Sequence, residues 1–79
     1  MTFKDFLRAR VHAFENYIDR RWTTELEFAV DGARDCEFPS GDTTWTEVRE
    51  YLQGHGATAE FVYAAQRMWR KYQHTLRGI

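Results

Sequence analysis

Three histidines, one cysteine and a series of spaced carboxylates are the side chains of this 79-residue sequence that could do chemistry. His12, His55 and His74 stand far apart with no metal-ligand spacing between them, and Glu15, the acid nearest His12, does not complete a three-ligand set. Cys36 has no histidine near it in sequence, and its neighbours Asp35 and Glu37 oppose the thiolate that a nucleophile needs. Ser40 lies in a Gly/Pro-rich turn rather than on a strand-to-helix elbow, and no glycine-rich phosphate loop occurs. Glu27, Asp31 and Asp35 repeat at a spacing of four, without the alternating oxygen ligands and central glycine of a calcium loop. These patterns predict no enzymatic activity, no metal and no cofactor.

Charge is what remains available for recognition. The net charge of −1 divides unevenly along the chain: residues 1–22 carry five basic and three acidic side chains, residues 23–53 two basic and eight acidic, and residues 54–79 four basic and one acidic. The middle is acidic and both ends are basic. Glu27, Asp31 and Asp35 would form one acidic stripe on a helix, joined by Glu47 and Glu50 further on. Like charges four residues apart repel by a few tenths of a kcal/mol, roughly, so the stripe calls for compensation from solvent, Arg34 or a neighbouring helix. Arg8, Arg20 and Arg21 near the start, and Arg67, Arg70 and Lys71 near the end, are the candidate basic face. The last three flank Trp69 and Tyr72, a combination that can hold phosphate and stack bases, although both rings fall on an apolar stripe and read as core.

Helices must position these groups. Thr2 with Asp5 caps a first helix whose stripe runs through Phe3, Phe6, Leu7, Val11, Phe14, Tyr17 and Ile18, predicting helix over about residues 2–21. Thr24 with Glu27 forms a capping box for a second helix with Leu26, Ala29, Val30 and Ala33 inside, ending near Arg34 to Cys36 before the Phe38-Pro39-Ser40-Gly41-Asp42 turn. Gly32 weakens that helix by ~1 kcal/mol relative to Ala. Thr44 with Glu47 opens a third helix with Trp45, Val48, Tyr51 and Leu52 inside, and Gly54 is expected as the left-handed residue that closes it. Thr58 caps a fourth, reaching about Arg77, with Phe61, Ala64, Ala65, Met68, Trp69, Tyr72 and Leu76 inward. The predicted architecture is an all-α, four-helix domain spanning residues 1–79. At this length the core is thin, so the 16% of aromatic residues must supply much of the burial.

From Phe28 onward the chain resembles the YozE-like family of small uncharacterised bacterial proteins. The resemblance is carried by Phe28-Ala29, Asp35, Phe38-Pro39, then Trp45-x-Glu47-Val48-x-x-Tyr51-Leu52, and finally Trp69-x-x-Tyr72, with Phe3-x-x-Phe6-Leu7 similar to the family's opening. It implies a compact helical fold similar to sterile-alpha-motif domains, and it carries no catalytic residue.

The functional expectation is a non-enzymatic binding or regulatory protein that docks on a larger protein or nucleoprotein complex through its charged helix faces. One concrete form is a phage or mobile-element inhibitor of host machinery, of anti-CRISPR type. The alternative is a small nucleic-acid-binding domain that uses the basic first and last helices. No segment reaches the ~20 apolar residues of a membrane span, and a single cysteine suits a reducing compartment, so a cytoplasmic monomer or weak homo-oligomer is expected.

Overall fold

A computed structural model of the chain describes residues 1–15 and 22–78. Four helices follow one another: α1 (Phe3–Glu15), α2 (Thr24–Arg34), α3 (Trp45–Gly54) and α4 (Ala59–Leu76). The all-α expectation holds, and no strand occurs among the described residues. The first helix was expected to reach about residue 21; its last turns, with Tyr17 and Ile18, lie outside the described residues.

Each helix begins where a threonine satisfies its unpaired amides. At α1 the pairing is reciprocal: the Asp5 N–H donates to Thr2 Oγ1 at 3.1 Å, and the Thr2 N–H donates to Asp5 Oδ2 at 3.2 Å. Thr44 and Thr58 accept from the N–H groups of Glu47 and Phe61, as their positions predict. For α2 the cap is Thr23 instead of Thr24: Thr23 adopts an extended backbone and its hydroxyl accepts from Leu26 N–H at 3.1 Å. Either of two adjacent threonines satisfies the local chemistry, so the choice falls to the packing of the helix that follows.

That packing also corrects the inner face of α2. Phe28 and Gly32 are buried beside Leu26 and Ala29, while Val30 and Ala33 are half-buried. The helix is packed on two sides, against α1 and against α4, and therefore buries a wider arc than one stripe. Gly32 marks the closest approach. A Cβ there would lie 2.8 Å from Leu7 Cδ1 and 3.2 Å from Phe38 Cε2, so the residue that weakens the helix lets its neighbours in.

The closing residue of α3 is likewise displaced. Gly54 is still helical, His55 is the C-cap, and Gly56 takes the left-handed conformation at φ +71°. Ala57 N–H donates to Leu52 C=O at 3.0 Å and Gly56 N–H to Gln53 C=O at 3.2 Å, the two bonds of a Schellman motif, with Ala57 packed against the core.

Rings fill the interior. Phe3 is fully buried, with ring centroids of Trp69, Tyr72, Phe38, Phe28 and Phe6 between 4.9 and 6.4 Å away. Phe38, which the sequence places in a turn, is buried among them and meets Tyr51 edge-on. Lys4 is the one charged side chain in the core of the described residues. It is only 6% exposed, and its ammonium donates to the Asp35 carbonyl at 2.7 Å. A cation at the carbonyl end of α2 answers that helix's dipole and ties α1 to it.

Candidate functional site

The corner where α3 turns into α4 stands away from α2 and leaves a cleft of roughly 660 Å³ between them. Its α2 wall carries Glu27, Asp31 and Asp35; the start of α4 contributes Glu60 and Phe61; Tyr51, His55 and Ala57 complete the far side. Phe28 and Phe38 form the buried base, while Phe61, Tyr51 and Ala57 are half-buried. The size falls within the ~300–1,000 Å³ of binding pockets in general, and the lining follows their pattern of apolar rings with a few convergent polar groups.

The acids around this cleft are not equivalent. Asp35 belongs to the fold. It is the C-cap of α2, its carboxylate accepts from Glu37 N–H at 2.9 Å and from the Tyr51 hydroxyl, and its carbonyl takes the Lys4 bond. The Tyr51 and Glu37 hydrogen bonds hold the Asp35 carboxyl below the usual carboxylate range. Burial, then the Asp35 carboxylate, push the Tyr51 phenol well above its ordinary value, so it remains a donor. His55 stacks on Tyr51 with centroids 4.3 Å apart, and its Nε2 lies 3.7 Å from Glu37 Oε2. Glu27, Asp31 and Glu60, by contrast, are exposed and have no ion pair among the described residues. Of the compensations open to the acidic stripe, Glu27 and Asp31 are thus left to solvent, although Arg34 lines the same cleft.

On the α4 side of α2 the situation is reversed. Glu25, which the sequence reading did not single out, takes Arg67 Nε at 2.9 Å and Lys71 Nζ at 3.0 Å. Burial pushes its carboxyl up, but the Lys71 and Arg67 bonds outweigh that and leave it below the ordinary value. Arg67 also lies over the Tyr63 ring at 4.7 Å. Two members of the proposed basic face thus neutralise α2, as opposite charges in a compact domain do.

The remaining basic candidates are scattered. Arg8 pairs with Asp5 one turn away at 3.4 Å, Arg70 is exposed on α4, and Arg20 and Arg21 lie outside the described residues. Tyr72 is buried, its hydroxyl donating to the Met1 carbonyl, and Trp69 is half-buried with its ring edge-on to Phe3. These rings belong to the core and are not presented as an open stacking platform.

Of the five acidic candidates, Glu27, Asp31 and Asp35 line the cleft. Glu47 and Glu50 are exposed on α3 away from it, with Glu47 accepting from the Thr43 hydroxyl at 2.6 Å. Glu60, Phe61 and Tyr51 were missed as lining residues. Glu60 is the lone acid of a basic segment, and only the turn after α3 brings it opposite α2. His12 and His74 are exposed on their helices, Cys36 is exposed beyond α2, and no group of three His, Cys, Asp or Glu side chains gathers as metal ligands among the described residues. No helix of the described residues is long and apolar enough to cross a membrane.

Residues 11–74 match the family described as the YozE SAM-like fold. No curated protein and no solved structure matches the chain.

Proposed function

We propose that this chain, which belongs to the YozE SAM-like fold family, is a non-enzymatic docking module that engages a larger protein or nucleoprotein partner through the cleft between α2 and the α3–α4 corner. The observation that carries this reading is the contrast along α2: Glu25 is neutralised twice from within, whereas Glu27 and Asp31 face a ring-lined cleft with no cation bonded to them among the described residues. Burying apolar lining against a partner supplies affinity, and the surrounding charge supplies orientation and a faster encounter. Of the histidines and the cysteine, His12, Cys36 and His74 lie away from the cleft, and His55, which lines it, is stacked on Tyr51 and lies beside Glu37. Occupation of a host nucleoprotein effector, the anti-CRISPR form of this docking, is one version of the same proposal, in which the acidic cleft grips a basic element of the effector.

Photo-cross-linking tests the surface. A photoreactive residue in place of Arg34, which is exposed and lines the cleft, is expected to capture one partner in stoichiometric amount from lysate of the source cells, while the same residue in place of Glu50, on the outer side of α3, captures none. Capture from position 50 and not from position 34 would move the docking face to α3 and reject the cleft.

A further inference from the structure

The cleft's chemistry selects among partners more narrowly than charge alone. Its half-exposed aromatic wall is the Phe61 ring, which meets Phe28 edge-on at 5.8 Å. The neighbouring Tyr51 ring already has His55 against it and its hydroxyl bound by Asp35. Glu27 and Asp31 sit one helical turn apart on α2, and side chains so spaced are ~5–6 Å apart at their Cβ atoms. Two carboxylates at that separation can flank one planar cation, and Glu60 adds a third from α4. A guanidinium suits this arrangement better than an ammonium, because it forms bidentate bonds to carboxylates and spreads over an aromatic ring. The protein makes the same kind of contact internally, where Arg67 covers Tyr63 at 4.7 Å and Arg10 covers Phe6 at 5.0 Å.

Resting on the docking reading above, we infer that the cleft takes an arginine-bearing basic segment of a partner protein, its guanidinium seated against Phe61 and held by Glu27, Asp31 and Glu60. The argument for this occupant is complementarity. The cleft has an apolar wall for the side-chain stem and ring contact, and acids free of ion pairs among the described residues for the head. A lysine would reach the same acids as a point charge but would forgo the planar contact. Because the acids are exposed, the attraction is screened by salt and is strongest at low ionic strength.

The test uses the full chain and fluorescein-labelled peptides of alternating arginine and alanine, with the lysine–alanine peptide of equal length beside it, read by fluorescence anisotropy at low salt. The arginine peptide is expected to bind more tightly than the lysine peptide. The double variant Glu27→Gln/Asp31→Asn should weaken it about tenfold or more, on the scale of lost charge-assisted hydrogen bonds. Glu47→Gln/Glu50→Gln removes the same charge from α3 and should leave binding within about twofold. Both cleft side chains are exposed and bond to nothing in the fold among the described residues, so the circular dichroism of the variant should match that of the parent.

Equal loss in the two double variants would reduce the effect to net charge, and equal binding of the lysine peptide would remove the preference for arginine; either overturns the inference. A concentration-dependent dimer dissolved by Glu27→Gln/Asp31→Asn would give the cleft to a second copy of this chain and overturn it as well. Absence of arginine-peptide binding also ends it, and the cross-link from position 34 then separates the two proposals: with that cross-link the docking reading survives alone, and without it both fall.

Discussion

Replacing Phe3 by alanine tests the central premise, that large rings hold this small fold together. Phe3 is fully buried and surrounded by Phe6, Phe28, Phe38, Trp69 and Tyr72, so it joins α1 to α2, α4 and the loop after α2 at one point. Truncating a buried phenylalanine costs about 3–5 kcal/mol, through lost transfer free energy and the cavity left behind. A domain of 79 residues has roughly 4–12 kcal/mol in total, at about 0.05–0.15 per residue. Phe3→Ala therefore removes between a quarter and all of the stability. The urea midpoint, followed by tryptophan fluorescence with Trp69 reporting at 4.9 Å, should fall by about 3 M or more for an m-value near 1 kcal/mol/M. Phe3→Leu keeps most of the volume and gives up the ring pairs, which are worth about 0.5–1.5 kcal/mol for an isolated pair and do not add independently around one shared ring. It should lose about 1–2 kcal/mol and stay measurably folded. A loss below about 1 kcal/mol for Phe3→Ala, at unchanged m-value, would refute the reasoning and place the core elsewhere.

Two further outcomes follow from the corrected caps and the charge pairing. Gly56→Ala forces a side chain into the left-handed region at φ +71° and should cost about 1–2 kcal/mol, whereas Gly54→Ala, helical and with open space at its Cβ, should be neutral or gain up to about 1 kcal/mol in thermal melts; the opposite ranking would show that α3 closes at Gly54. The Glu25 carboxyl is held below its ordinary value of 4.5 in the folded chain, so its contribution is present above that value and is lost as pH falls through the lower folded-state pKa. Glu25→Gln should therefore cost about 0.5–1 kcal/mol at neutral pH, modest because Arg67 and Lys71 are partly exposed, and the gap to the parent should close as both are titrated below about pH 4; a gap that persists into strong acid would assign the effect to packing instead.

The helices and their order could be read from the sequence because the signals are local. A threonine hydroxyl three residues before an amide donor, and apolar residues every three or four positions, act within one turn of backbone. The same locality explains the errors. Thr23 and Thr24 offer identical chemistry to the amides of α2, and Gly54 and Gly56 both tolerate a left-handed backbone, so neither choice can be made without the neighbouring helices. Gly32 reads as a helix-weakening residue until Leu7 and Phe38 are seen against it. Phe38 reads as part of a turn because turn chemistry surrounds it, yet the turn exists in order to return that ring to the core.

The candidate site was only half legible for the same reason. Glu27, Asp31 and Asp35 share a face by helical periodicity alone, and that much the residue spacing determined. Which acids remain available is a matter of partners distant in sequence: the Asp35 carboxylate is engaged by Tyr51, and Glu25 by Arg67 and Lys71, more than forty residues away. Composition and periodicity determined an all-helical chain with an acidic middle, because those properties reside in each residue and its near neighbours. The cleft, its aromatic wall and the opposition of Glu60 to α2 were decided by tertiary structure, because they depend on the angle at which α4 leaves the α3 turn and crosses α2, and no short-range interaction sets that angle.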